Sequence, residues 1–217
     1  MNSSERAKLV LKILNKIYPT TTIPLKHTNN FTLLISVLLS AQCTDLNVNN
    51  VTKNIYTIYN KPEHFVKLGR KKIEKLIKSI GLFRVKAKSV FLLSKQLIKK
   101  HNGKVPKTFE ELEALPGVGH KTASVVISQG FGYPAFPVDT HIHRLAQRWG
   151  LTNGKNVIQT EKDLKRLFSK KLWNKLHLQI IYYGREYCQA RNCYGLTCKI
   201  CTTCYPARKN LIETKKA

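Results

Sequence analysis

The stretch "LPGVGHKTA", Leu115–Ala123, sets two glycines one residue apart between segments of helical periodicity and follows them with a lysine. Gly117 and Gly119 permit positive φ and leave the backbone bare, so successive N–H groups can point outward together. At the start of the next helix those amides add to the positive end of its dipole, which makes a phosphate-binding loop indifferent to base identity. An ordinary helix-to-helix turn would use the same glycines, and the pattern by itself does not separate the two. Upstream, Thr108 with Glu111 three residues on matches a capping box opening "FEELEAL", and Pro116 stops that helix. Downstream, "HKTASVVISQGF" reads as a helix from near His120 with Val125, Val126 and Phe131 facing inward.

Away from the loop, apolar residues recur at helical spacing: Leu9, Leu11, Ile13, Leu14 and Ile17, and later Ile73, Leu76, Ile77 and Ile80. Strand alternation is scarce, and short breaks such as "NKPEH", "SIGLF", "HNGKVPK" and "GLTNGKN" carry the Gly, Pro or Asn that ends a helix. The fold class is therefore all-α. The turn-rich "GYPAFPVDT" after Phe131 marks a change of element and a domain seam.

Lys plus Arg number 38 against 12 Asp plus Glu, a net charge of +26 over 217 residues. Such an excess repels itself unless a polyanion relieves it, and nucleic acid is the commonest such partner. The longest apolar run, "FTLLISVLLSA" from Phe31 to Ala41, falls short of the ~20 residues a membrane span needs, so no membrane role is expected. The N-terminus "MNSSERAKLVLKILNKIY" reads as an amphipathic helix rather than a secretory signal, which points to the cytoplasm and reduced thiols.

Lys121 at the mouth of the loop could pair with phosphate. Alternatively, once deprotonated, its amine could attack C1′ of an extruded nucleotide and form a Schiff base. Its ordinary pKa of ~10.4 would have to fall, and burial beside cations and a helix N-terminus is expected to lower it. In "FPVDTHIHRLAQRWG", Asp139 stands before His141, His143 and Arg144. It suits the N-cap of a helix starting at Thr140, and equally a fixed carboxylate that stabilises positive charge on a sugar as its base leaves.

Five cysteines crowd into "CQARNCYGLTCKICTTC", namely Cys188, Cys193, Cys198, Cys201 and Cys204. In a reducing compartment such density reads as metal ligation, by zinc or an iron–sulfur cluster. Cys43, alone beside Gln42, reads as a small packed residue.

Taken in order, "LLSAQCTD", "IGLFRVKA", "ALPGVGHKTA", "VDTHIHR" and the cysteine tail resemble the endonuclease III family of helix-hairpin-helix DNA glycosylases over nearly the whole chain. The resemblance implies a bifunctional DNA N-glycosylase and AP lyase that removes oxidised pyrimidines and nicks by β-elimination. Lys121 would be the Schiff-base lysine and Asp139 the catalytic aspartate. Gln42 and Leu82 would enter the duplex where the damaged nucleotide leaves, although composition alone puts Leu82 in the core. Gly117, Val118, Gly119, His120 and His141 would contact DNA, with His120 standing where the family usually carries a permanent cation. Basic faces around "GRKKIEKLIK" and "FRVKAK" would hold phosphates.

The family's [4Fe–4S] cluster uses a C-x6-C-x2-C-x5-C pattern from which this chain departs, because position 195 is Gly. Keeping "CKIC" as the close pair gives Cys188, Cys198, Cys201 and Cys204 as ligands, with Cys193 an alternative to Cys201 or Cys204. The implied architecture is a six-helix domain over residues 22–132, with the hairpin at about 108–131, and a cluster domain from residues 1–21 and 133–217. Substrate would lie between the two domains. The partner would be double-stranded DNA containing damaged bases or abasic sites, bound by a monomer at the nucleoid of a bacterial cytoplasm. That setting rests on the lack of the N-terminal extension usual in eukaryotic relatives. A noncatalytic DNA-binding module with a structural metal, and a monofunctional adenine-type glycosylase, are the alternatives; the latter branch lacks a lysine at the place of Lys121.

Overall fold

In a computed structural model, residues 1–216 are described, and among them there are eleven α-helices, one π-helical turn, one 3-10 turn and no strand. The chain falls into two compact units, Ile23–Tyr133 and Met1–Thr22 with Pro134–Ala217.

The unit Ile23–Tyr133 is built around α2 (Asn30–Ser40), in which every residue from Phe31 to Leu39 is buried. A helix apolar on all sides can only be an interior one. Its two buried hydroxyls are satisfied locally: Thr32 donates to the Asn29 carbonyl, and Ser36 shares a hydrogen bond with Tyr56 Oη at 2.8 Å. Around it stand α3 (Asp45–Ile58), α5 (Phe83–His101), α7 (His120–Val125) and the π turn Val126–Gly130. The remaining helices are α4 (Pro62–Leu76), with Pro62 in its first turn and a break at Gly69 (φ 72°), which packs on α5, and α6 (Phe109–Glu113), which packs on α7.

The hairpin joins α6 to α7. Thr108 caps α6 by accepting the Glu111 N–H at 3.3 Å, and its hydroxyl donates to Glu111 Oε2 at 2.9 Å. Positive φ is found at Gly117 (81°) alone; Gly119 is extended (φ −98°, ψ 175°) and serves as N-cap of α7. The two glycines therefore answer different needs. A Cβ on Gly117 would lie 2.7 Å from Ser89 Cβ and 3.2 Å from Leu38 Cδ1, whereas one on Gly119 would meet nothing within 4 Å. The single helix read from "HKTASVVISQGF" is α-helical only to Val125 and then widens into the π turn. That turn lies against α2, where a Cβ on Gly130 would come within 3.1 Å of Asn30 and Leu33 side chains.

The second unit packs α1 (Ser3–Ile17) on α9 (Val157–Leu167), α10 (Trp173–Glu186) and α11 (Lys199–Cys204), with α8 (Thr140–Arg148) on α9 and α10. Asn2 and Glu5 form a reciprocal capping box on α1. The core holds Leu14, Phe136, Leu145, Trp149, Leu164, Leu176 and Tyr183, with Trp149 edge-on to Tyr183 at 5.7 Å, and all five tail cysteines. Among the described residues, no helix is long and apolar enough to cross a membrane.

Gly117→Ala should destabilise the protein by about 1 kcal/mol or more, because it forces a side chain into left-handed backbone. Gly119→Ala should change stability by less than about 0.5 kcal/mol, since its extended backbone suits alanine while alanine is the poorer helix cap. Urea unfolding of the two variants checks this; equal losses would contradict the different roles assigned to them.

Candidate nucleic-acid interface and metal centre

The hairpin presents a small set of groups outward. Lys121, the second residue of α7, is exposed, while Ala123 to Ser128 behind it are buried. The burial expected of Lys121 is thus not supplied by the protein. Val118 turns inward at 6 % exposure and donates its N–H to the Leu115 carbonyl at 3.1 Å, so neither its side chain nor its amide faces a ligand. Gly117 is likewise occupied in holding the turn against Ser89. Gly119 leaves open space where a side chain would stand, which lets another backbone approach. His120 is exposed, stacks on Phe109 at 5.2 Å and sets Nδ1 2.7 Å from Glu113 Oε1. A carboxylate therefore stands beside the position where the sequence puts a phosphate contact.

Gln42 and Leu82 share an unusual backbone. Both are exposed and both take left-handed conformations, φ 53° and 58°, without being glycine. Each such residue costs of order 1–2 kcal/mol, and residues of this kind gather where function fixes them. Leu82 is 58 % exposed, against the core placement its composition suggests.

Asp139 belongs to the other unit. It is half-buried and caps α8, accepting the Ile142 N–H on Oδ1 at 2.9 Å. The three residues after it in the motif divide by role. His143 is fully interior, with Nδ1 2.8 Å from Thr160 Oγ1, and burial pulls its pKa below the usual histidine range, so it packs as a neutral ring. His141 is half-buried, with Nδ1 3.4 Å from Arg144 Nη2. Arg144 also donates to the Cys188 carbonyl at 3.1 Å.

The sulfur atoms of Cys188, Cys193, Cys198 and Cys201 lie within 4.8 Å of one another, all buried. The structure therefore brings Cys193, rather than Cys204, into the group with the other three. Cys204 is buried nearby in the same core, where desolvation pushes its thiol up to about 11. Within the group, hydrogen bonds from Cys188 and Cys201 push the Cys198 thiol well below the usual cysteine range. Four buried thiols converging on one point form a donor set that fits an iron–sulfur cluster.

The segment carrying these thiols is pinned by two arginines that no motif marks. Arg148, 2 % exposed, donates to Cys188 Sγ at 3.4 Å, Gln189 O at 2.8 Å and Ala190 O at 2.9 Å. Arg208 reaches the carbonyls of Arg148 and Gly195 at 2.9 and 3.0 Å. Arg144 and Arg148 stand four apart on a helix that Asp139 opens, and that spacing was the available signal.

Comparison with known proteins agrees with this geometry. The family described as HhH-GPD superfamily base excision DNA repair protein matches residues 35–170. Endonuclease III of Bacillus subtilis is 39% identical over 210 residues, covering 96% of this chain and 96% of that one. Endonuclease III of Escherichia coli K12 is 41% identical over 192 residues, covering 88% and 90%. Among solved structures, a trapped endonuclease III–DNA covalent intermediate superposes with a TM-score of 0.88 at 40% identity, over 92% of this chain and 94% of that one. With an all-helical hairpin fold, a convergent cysteine group and these likenesses over nearly its full length, the chain belongs to the endonuclease III family of DNA glycosylases with AP lyase activity, within the HhH-GPD superfamily.

Proposed function

We propose that this chain excises oxidised pyrimidines such as thymine glycol from duplex DNA and then nicks the strand 3′ to the lesion. The observation that carries the reading is Lys121, held exposed on the first turn of α7 beside a glycine that leaves open space. The Lys121 amine attacks C1′ of the extruded nucleotide; its nitrogen bonds to C1′, and the base departs with the glycosidic electron pair and takes up a proton. The sugar ring opens to a Schiff base. Loss of a proton from C2′ then expels the 3′ phosphate, and water releases the lysine. Asp139, fixed by its capping bond, stabilises the positive charge that develops on the sugar.

Phosphates are gripped by the amides around Gly119 and by exposed lysines of α4 and α5, so affinity falls steeply with salt. His120 contributes a cation there only when protonated, and Glu113 competes with phosphate for it. Cys188, Cys193, Cys198 and Cys201 would hold a [4Fe–4S] cluster, which would fix the loop between them and supply no step of the bond chemistry. The chain works as a monomer in a bacterial cytoplasm. Neither the noncatalytic nor the adenine-type reading is favoured by the relatives.

A duplex oligonucleotide with one thymine glycol tests this reading. Wild type should release the base and nick. Lys121→Ala should bind but lose at least roughly a thousandfold of both activities. Asp139→Asn, which retains a good helix cap, should lose roughly 10²–10³ in rate without losing stability. Undiminished nicking by Lys121→Ala would overturn the assignment. Cys193→Ser should lose bound iron and sulfide while Cys204→Ser keeps them; the reverse would restore Cys204 as a ligand.

A further inference from the structure

The two strained residues Gln42 and Leu82 sit on separate loops, one between α2 and α3 and one between α4 and α5, yet the loops are tied together. The tie runs through Lys86, which belongs to the basic run "FRVKAK" but is not on its surface. Lys86 is only 6 % exposed. Its ammonium donates to the carbonyls of Leu39 at 2.9 Å and Ala41 at 2.5 Å, at the end of α2 immediately before Gln42. Its backbone N–H donates to the Leu82 carbonyl at 3.0 Å. One residue thus holds both strained positions, the first by side chain and the second by main chain.

Two further features reinforce the tie. Asn47 Nδ2, in the first turn of α3, donates to the Ser79 carbonyl at 3.1 Å and to Cys43 Sγ at 3.2 Å, linking the same loops from the other side. Gly81 comes close enough that its Cβ would lie 3.5 Å from the Gln42 carbonyl.

A buried ammonium is an expensive way to fill space, and a methionine would fill it without the desolvation cost. Burial pulls the Lys86 ammonium below the usual lysine range, with nearby Cys43 opposing it, and the two helix-end carbonyls accept its hydrogen bonds. What the charge provides and an apolar residue cannot is a directed grip on carbonyls that have no further turn of helix to receive them.

We infer that Lys86 is a positioning residue that locks the Gln42 and Leu82 loops into one body, so that the two side chains enter the duplex at a fixed spacing. The inference rests on the glycosylase reading above and on the insertion of Gln42 and Leu82 that the family resemblance implies. Insertion must offset the few kcal/mol of unstacking that extrusion requires, and side chains already held in place lose less freedom in doing so. Rapid base excision then depends on Lys86 although it touches neither DNA nor the reacting atoms.

The test compares wild type, Lys86→Met, Gln42→Ala with Leu82→Ala, and the triple variant, using duplexes that carry 2-aminopurine beside either a thymine glycol or a non-cleavable abasic analogue. Lys86→Met should keep its thermal midpoint and, within about threefold, its affinity for undamaged duplex, while losing the 2-aminopurine signal of insertion and about tenfold or more in single-turnover base excision. In the background lacking both inserted side chains, adding Lys86→Met should change the rate by less than about threefold, because its effect acts through them. An unimpaired Lys86→Met, or a full loss repeated in that background, would overturn the inference. Should Lys86→Met fail to fold, Asn47→Ala removes the second tie from a half-buried position and should reproduce the loss of insertion; normal insertion by it would overturn the inference too. The non-cleavable analogue separates the two readings: insertion without any wild-type excision would sink the glycosylase reading alone, and normal excision by Lys86→Met would sink this inference alone.

Discussion

Gly117 lies so close to α5 that a single added carbon would strike Ser89 at 2.7 Å, and the placing of the hairpin follows from that approach. A left-handed glycine lets the chain reverse there, and Leu38 of the buried helix α2 closes the space on its other side. With the turn held against α2 and α5, Lys121 in the first turn of α7 faces outward while Ala123 to Ser128 are buried. Gly119, two residues on from the contact, is under no such pressure and leaves its space to an approaching backbone.

Interior cations organise the loops in each unit. With 38 basic and 12 acidic residues, carboxylates cannot partner the buried charges, and backbone carbonyls do so instead. Lys86 grips the end of α2, while Arg148 grips Gln189 and Ala190 around the first cysteine of the group. Each donor fixes several carbonyls from one side chain, which specifies a loop more tightly than apolar contact does. A net charge of +26 thus serves two ends: most of it faces outward for phosphate, and a few members are turned inward to shape the surfaces that meet it.

What could be read in the sequence was what depends on near neighbours. Thr108 and Asp139 each cap a helix by accepting the N–H three positions on, and the apolar run Phe31–Leu39 is the buried helix that its length and composition demand. What could not be read depends on residues far along the chain. Whether Gly117 or Gly119 carries the positive φ is decided by Ser89, some thirty positions earlier. Lys86 sits in a run of basic residues and is set apart only by carbonyls 45 and 47 positions before it. Leu82 looks like core until its loop is seen to hold it outside. The cysteine spacing allows several groupings, and Cys193 enters through the packing of its loop.

Strand cleavage turns on which amine meets the sugar, and the most direct measurement is borohydride reduction of the protein mixed with a duplex carrying one abasic site, followed by peptide mass spectrometry of the cross-linked species. A single covalent adduct on Lys121 is expected. An adduct on another lysine, or none from a folded protein that binds the same duplex, would contradict it.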